Sequence, residues 1–542
     1  DILTGGVVVG AALLIMASGL SFNGTQLLLM LSLPALGWTF AATGAPAILI
    51  GFAIAAPLLF VDTDAMNLVV QDPLLGAYFL ASVCALVAGW TLGFAALLAG
   101  QKLSNSSRPV AGAGAAILWT VAVVLFVTVG QPGLYGDGIF VILKEKANVS
   151  EASAIQDYGE RRHYVYDTLV DQAERTQSRI RTTLDRLGIA YTPYYLVNGL
   201  EVRGGLLMRL WLSLQTEVDR VLPSPVLRPT PWPLSNAQGQ ESPPGLTQWN
   251  LTQIGADRVW EEFEVTGEDI TIGQSDSGVQ LEHPEFSGRY RGRSQGNDYN
   301  WCDPWYHSLQ PADASGHGTH TLGTILGDSV GGAPGASWFA CSNLVRNLGN
   351  PALYLDCMQF MLAPFPLDGN PLLDGDPTRS AHIVNNSWGC PQDVEGCDPT
   401  VLLPAIRALR AAGIFVVAAA GNDGPRCATV ADSLAIHDEA FSVGAIDQFG
   451  DLAFFSSSGP VTVDGSGRVK PDILAPGVDV LSAYPGSTYE LAAGTSMAGP
   501  HVAGVVALMW SANPNLIGDI ERTEQILQES ARPFTGTLGS LL

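Results

Sequence analysis

The chain has 542 residues, enough for several domains, and a formal net charge of −24 from 51 acidic against 27 basic side chains. Such an excess of negative charge repels nucleic acid and acidic lipid head groups, and no basic patch, glycine-rich phosphate loop or zinc-ligand spacing is present, so the sequence carries no case for nucleic-acid binding or metal catalysis. A mean hydropathy of +0.22 is high for a wholly soluble chain, and its cause is local.

Between Ile2 and Val61 there is no Asp, Glu, Lys or Arg. Apolar runs at about 5–20, 25–43, 45–61, 74–100 and 110–130 reach or approach the ~20 residues that cross a bilayer, which predicts an all-α membrane region of about five helices over residues 1–130. With the short first run discounted, four spans remain. A secretory signal accounts for the first run alone, because its apolar core covers only about 7 to 15 residues. Lys102 and Arg108 are the only basic residues before position 131 and share one loop, whereas the loop 62–73 carries Asp62, Asp64 and Asp72. The positive-inside rule makes the basic loop cytoplasmic, so everything after the last span is expected outside, on a multi-pass protein of the cell membrane. Removing Asp1, the three loop aspartates and these two basic residues leaves 47 of 51 acidic and 25 of 27 basic residues, a net charge of about −22 on the extracytoplasmic part. Six of the seven cysteines (Cys302, Cys341, Cys357, Cys390, Cys397 and Cys427) lie there too, as an oxidising compartment favours. Cys390 with Cys397 is the first expected disulfide and Cys341 with Cys357 the second, against the alternative of free buried thiols.

Residues 131–226 read as a separate α+β unit. A strand at 138–144 precedes a long helix from Tyr158 to Leu187, with Val165, Leu169, Ala173, Ile180, Leu184 and Leu187 on one face. Strands 189–197 and 200–202 follow, joined by the turn signal Asn198-Gly199, then a helix at about 205–217 and a strand at 218–222. The β-α-β-β-α-β order is the ferredoxin-like one. Residues 227–247, rich in Pro, Ser and Gln, read as an exposed linker and a processing site.

From residue 248 to 542, apolar runs at 270–274, 337–341, 382–385, 414–420 and 440–446 alternate with helical patterns at 319–327, 400–412 and 497–511, which predicts an α/β domain whose parallel sheet is buried by helices on both faces. Asp276 ends the first of these strands before Ser277-Gly278. His317 opens Gly316-His317-Gly318-Thr319-His320, and Ser496 lies in Gly494-Thr495-Ser496-Met497-Ala498-Gly499-Pro500-His501, where a loop enters a buried helix. A hydroxyl at a helix N-terminus lies beside free backbone N–H groups, and acyl transfer needs in addition a base, a group to orient it and a donor for the oxyanion. Asp276, His317 and Ser496 supply the first parts, in the chain order Asp, His, Ser. Asn422, delivered into a Gly-rich turn by the apolar strand before it, is the candidate oxyanion donor. His320 and His501 are expected to be packed structural histidines, and the Glu and spacing of a zinc-protease helix are missing.

These three blocks, with the Asn422 segment, resemble the subtilisin-like serine proteases (subtilases) over about residues 248–535. The resemblance implies a subtilisin-like fold, a catalytic Asp276, His317 and Ser496 with Asn422, and a substrate-binding edge at Ser387, Trp388, Gly389, Ala420 and Gly421. It implies no cofactor or metal for catalysis. A structural calcium is left open, because residues 326–334 are shorter than the loop that binds calcium in secreted subtilisins. The unit at 131–226 resembles the family's inhibitory propeptide, and Tyr195-Leu196-Val197-Asn198-Gly199 in particular the bacillopeptidase F branch; a permanent spacer domain is the alternative. The implied partners are protein or peptide substrates and the chain's own propeptide, and the apolar N-terminal region adds the lipid bilayer. The insertion 341–376 is read as a solvated loop over the cleft, in which Asp356, Asp368, Asp374 and Asp376 are candidates for selecting basic substrates or binding calcium. The rival reading is a membrane sensor or scaffold whose protease-like domain binds peptides without cleaving them.

Overall fold

The computed structural model describes residues 138–225, 239 and 241–534, except 205, 314, 346 and 347. The five predicted spans in residues 1–130 and most of the linker lie outside the described residues. Among the described residues no helix is long and apolar enough to cross a membrane.

Strands apolar on both sides must be covered on both sides, and that requirement builds the larger part of the structure. β5 (Thr271–Asp276), β6 (Trp301–Cys302), β7 (Ser337–Ser342), β8 (Ile383–Asn386), β9 (Phe415–Ala419), β10 (Phe441–Ile446) and β11 (Ile473–Pro476) form a seven-stranded sheet in the order β11-β10-β9-β8-β5-β7-β6. Its neighbouring strands pair in parallel. Alternate residues feed two cores: Val384, Val416 and Ala418 face one, and Ile383, Phe415 and Val417 the other. Helices α3 (His317–Leu326) and α6 (Thr495–Ala512) fill the second core with Leu322, Ile325, Ala503, Val506 and Trp510. Helices α4 (Pro351–Leu362) and α5 (Leu403–Ala411) fill the first with Leu355, Met358, Ile406 and Leu409. An antiparallel pair, β12 (Val480–Tyr484) and β13 (Thr488–Ala492), leads into α6.

The smaller part is a four-stranded sheet of β1 (Gly138–Leu143), β2 (Tyr191–Tyr194), β3 (Gly199–Val202) and β4 (Val218–Ser224), in the order β2-β3-β1-β4, with helices α1 (Tyr158–Leu187) and α2 (Leu206–Ser213). Asp157 caps α1 through the Glu160 N–H, and Gly188 closes it in the left-handed region at φ 66°. Ile139, Val141 and Leu143 pack with Ile180, Leu184 and Leu212, while Phe140 and Ile142 point the other way into the core of α4 and α5. Residues Ile139–Ser224 and Pro229–Leu542 accordingly form one compact unit. Their contacts are specific. Tyr195 N–H donates to Gln359 Oε1 at 2.8 Å and its hydroxyl to the Gln359 carbonyl at 3.1 Å. Arg161 donates to the carbonyls of Arg410 and Ala411 at the end of α5, where orphan carbonyls need donors. The Tyr166 hydroxyl donates to the Pro371 carbonyl at 2.9 Å.

Several sequence expectations are corrected. Leu187, placed on the apolar face of α1, is 59% exposed at the last position of the helix, just before the Gly188 cap. The hairpin turn is not the tight Asn-Gly pair: Tyr194 pairs with Gly199, so Tyr195 to Asn198 form the loop, with Asn198 at φ 47°. That loop is buried against the larger domain. The second helix is shorter than 205–217, and β6, β11, β12 and β13 had no counterpart in the reading. The insertion at 341–376 is no solvated loop: α4 runs through its centre, opened by Asn350, whose side chain accepts from the Leu353 N–H at 2.8 Å, with Pro351 next. Asp356 faces Tyr194 and Glu201, and burial, then Glu201, holds its carboxyl well above the usual range. Asp374 accepts from the Asn370 N–H at 2.8 Å and Asp376 from the Thr378 N–H at 3.0 Å, so both brace their own loop. Both expected disulfides are present, Cys341–Cys357 and Cys390–Cys397, and Cys302 and Cys427 are free.

Tyr195 is buried in the contact between the two parts. Tyr195→Ala removes a buried ring and its hydrogen bond, and is expected to cost about 3 kcal/mol or more, read as a lower urea midpoint and faster proteolysis within 139–224. An unchanged midpoint would show that the two parts do not share a core.

Candidate active site

Parallel sheets present their functional residues beyond the carboxyl ends of the strands. Asp276 is the last residue of β5 and is fully buried. A buried carboxylate must be satisfied by donors. Its Oδ1 accepts from the Ser277 N–H and from His317 Nδ1, each at 2.7 Å, and the Thr321 hydroxyl lies 3.4 Å from Oδ2. His317 is the first residue of α3, preceded by Gly316 at φ 88°. Gly318 permits that approach, since a Cβ there would fall 2.1 Å from the Gly278 carbonyl oxygen and 3.1 Å from Asp276 Cβ. With Nδ1–H held by Asp276, the free lone pair of His317 is on Nε2.

Asp313, which the sequence reading passed over, anchors this turn. Its carboxylate accepts from the N–H groups of Ser315, Gly316 and Thr319 at 3.0, 2.8 and 2.9 Å, and from the hydroxyls of Ser277 and Thr319 at 3.0 and 2.6 Å. It thus ties the N-terminus of α3 to the end of β5. An Asp three residues before a Gly-His-Gly opening a helix was the available signal.

Ser496 is the second residue of α6 and is partly exposed. Its hydroxyl donates to the Ser387 carbonyl at 3.1 Å, and the Ser387 hydroxyl returns a bond to the Ser496 carbonyl at 2.9 Å. The Ser496 proton therefore rests on Ser387, and the structure gives no Ser496–His317 bond. Asn422 is exposed in the turn after β9, its Oδ1 fixed by the Thr495 N–H at 2.9 Å and the Thr495 hydroxyl at 3.0 Å, which turns Nδ2 outward. A Cβ placed on Gly494 would lie 3.6 Å from both Asn422 Nδ2 and the Ser496 backbone nitrogen and 3.7 Å from Met497 Sδ, so the two donors border the same side of Gly494.

Ser387, Trp388 and Gly389 continue β8. Trp388 is fixed by its Nε1–H on the Ser275 carbonyl at 2.9 Å and by stacking on Tyr354, with ring centres 3.9 Å apart. Ala420 N–H donates to the Val443 carbonyl at 3.0 Å, and Gly421 N–H to the Thr495 hydroxyl at 3.2 Å, in the left-handed region at φ 102°. Segments 387–389 and 420–422 therefore both bond to the start of α6.

His320 and His501 are buried in structural roles. His320 Nε2 bonds the Val480 and Glu490 carbonyls at 3.1 and 3.0 Å, His501 Nδ1 bonds the Met497 carbonyl at 2.8 Å, and burial pushes both rings down to about 4. His317 behaves oppositely. Burial alone would lower it, but the Asp276 carboxylate, helped by Asp313, raises it above its ordinary 6.5. The short loop after α3 is tied by Glu285, which accepts from the Ser329 N–H at 2.7 Å and the Tyr489 hydroxyl at 2.6 Å. Among the described residues no cluster of three or more His, Cys, Asp or Glu side chains is arranged to hold a metal ion.

The arrangement is a histidine held by a carboxylate, a hydroxyl at a helix N-terminus and two neighbouring N–H donors, a set of groups that suits acyl transfer. Because the reactive form of His317 is neutral, kcat/KM on a peptide is expected to fall with decreasing pH through a half-point above 6.5. Asp276→Asn should move that half-point down and lower the rate roughly 10⁴-fold; a pH profile unmoved by the substitution would remove Asp276 from this role.

The model of the subtilase family matches residues 267–539. Bacillopeptidase F of Bacillus subtilis is 33% identical over 420 residues, covering 72% of this chain but 28% of that protein. Subtilisin BL of Lederbergia lenta is 34% identical over 272 residues, 49% of this chain and 85% of that protein, and serine protease AprX of Bacillus subtilis is 31% identical over 291 residues, 47% and 60% respectively. The chain belongs to the subtilase family of serine proteases.

Proposed function

We propose that the chain is a membrane-anchored serine endopeptidase, made with its own inhibitory propeptide and acting on proteins outside the cytoplasm. The observation that carries the catalytic part is the 2.7 Å contact between the buried Asp276 carboxylate and His317 Nδ1, with Asn422 Nδ2 and the Ser496 nitrogen both bordering Gly494.

In this mechanism His317 Nε2 takes the proton of Ser496 as its oxygen attacks the peptide carbonyl, and Asp276 holds the ring and stabilises the imidazolium. This step requires the Ser496 hydroxyl to turn from the Ser387 carbonyl to His317. Negative charge on the carbonyl oxygen is met by Asn422 Nδ2 and the Ser496 N–H; a donor of this kind is worth roughly 3 kcal/mol in the transition state. His317 then gives its proton to the leaving amine, and water repeats the sequence to free the acyl group. A substrate lying extended between segments 387–389 and 420–422 would gain main-chain hydrogen bonds of strand type, leaving selection to its side chains.

The burial of Tyr195, Leu196 and Val197 against α4 supports the propeptide role of residues 131–226, with processing in the linker 227–247. The charge-free apolar runs of residues 1–130 support the anchor, and the two disulfides support an oxidising location for the protease part.

Intact mass of the wild-type chain beside Ser496→Ala, with a fluorophosphonate probe, separates this from a peptide-binding scaffold. Wild type is expected to be cut within about 223–249 and to label at Ser496, while the variant stays whole and unlabelled. If folded wild type stays whole and takes no label, the scaffold reading replaces this one.

A further inference from the structure

Of the four aspartates in the insertion at 341–376, Asp356 faces the smaller domain, Asp374 and Asp376 brace their own loop, and Asp368 is exposed on the surface. Another aspartate does lie at the specificity edge. Asp432, ten residues after Asn422, has its carboxylate against both segments that flank the substrate path. A Cβ added to Gly389 would fall 2.4 Å from Asp432 Cγ and from each of its oxygens, and one added to Gly421 would fall 3.4 Å from Oδ2. The absence of a side chain at Gly389 lets the carboxylate approach that backbone directly, and Ser457 shares the contact at Gly421. The group is crowded by protein yet keeps some solvent-accessible surface, as expected of a side chain on the floor of an open pocket. Burial first, and then the nearby Asp423, push it up to about 6, so at pH 7.5 it is mostly ionised. Among the described residues no Lys, Arg or His is paired with it, and the backbone N–H of Cys390 is the donor that faces it. Cys390 is itself pinned by the bridge to Cys397, which fixes the wall carrying Gly389.

We propose that Asp432 is the floor of the primary specificity pocket and selects substrates with a cationic side chain, Lys or Arg, on the amino side of the cleaved bond. A carboxylate in a confined site, with a second negative group close by and no cation of its own, favours a ligand that brings the missing charge and disfavours an acidic one. An apolar side chain would cover the carboxylate without pairing it, which is the costly alternative. The inference rests on the endopeptidase reading and names its substrate class.

The test compares kcat/KM at pH 7.5 on three peptides that differ only at that position, carrying Arg, Phe or Glu, for the wild-type chain and for Asp432→Asn, with fluorophosphonate labelling of each as a check of folding. The wild type is expected to prefer Arg over Phe and to reject Glu. The Asn variant should lower the Arg-to-Phe ratio by roughly 30-fold or more, the scale of losing one partner of a buried charge pair, and relieve the rejection of Glu. If both proteins label and the Arg-to-Phe ratio is the same in each, Asp432 is not the selector and the endopeptidase reading stands. If the Asn variant alone fails to label, Asp432→Glu, which keeps the charge, decides: an Arg preference retained there supports the assignment, and its absence overturns it. If the wild type neither labels nor cleaves, the endopeptidase reading fails and takes this proposal with it.

Discussion

The carboxylate of Asp276 is the constraint on which the site depends. It is buried at the end of a strand that is itself buried on both faces, where an unpaired negative charge would be strongly destabilising. The surroundings answer with one backbone N–H and one imidazole on the same oxygen. Everything that keeps His317 in reach follows: the bare backbone of Gly318, the bend at Gly316, and the five donors that Asp313 gathers around the start of α3. The same logic operates at α6, where Thr495 clamps Asn422 and thereby aims its amide past Ser496. Two helix N-termini and two strand ends are thus fixed relative to one another by buried polar bonds rather than by packing alone.

The smaller domain is joined to this frame through the sheet face opposite α3 and α6. Its β1 divides its side chains between two cores, Ile139 and Val141 inward and Phe140 and Ile142 toward α4. Apolar burial shared in this way makes each part a contributor to the other's stability. Gln359, on α4, bonds Tyr195, and β5 packs on the same core through its neighbours, so the docking surface and the strand that ends in Asp276 belong to one layer.

Much of this was legible in the sequence because its signals are local. Strands buried on both faces read as unbroken apolar runs, and β5, β7, β8, β9 and β10 fall within a residue or two of those runs. Helix α1 runs over Tyr158–Leu187 as its periodicity predicts, because its apolar positions keep a 3.6-residue spacing. The failures share a different cause. Helix α4 is buried on nearly all sides, so its apolar residues form no periodic stripe, and its start signal, Asn350 before Pro351, was outweighed by the Pro and Asp around it. The loop Tyr195–Asn198 is apolar because the larger domain covers it, a tertiary fact that local turn chemistry does not contain. Strand β6 has two residues and β11 four, too short for alternation to register. Asp313 and Asp432 were missed for the same reason: each looks like an ordinary loop aspartate until the fold brings Ser277 to one and Gly389 to the other.

The central claim is that Ser496, His317, Asp276 and Asn422 act on one carbonyl. A crystal structure of the chain with a peptide boronic acid tests it most directly, since the tetrahedral boron adduct stands in for the acyl-transfer intermediate. The account predicts boron bonded to Ser496 Oγ, one boronate oxygen within hydrogen-bond distance of both Asn422 Nδ2 and the Ser496 N–H, and His317 Nε2 against a second oxygen. Boron bonded elsewhere, or an adduct whose oxygen points away from Asn422, would contradict it.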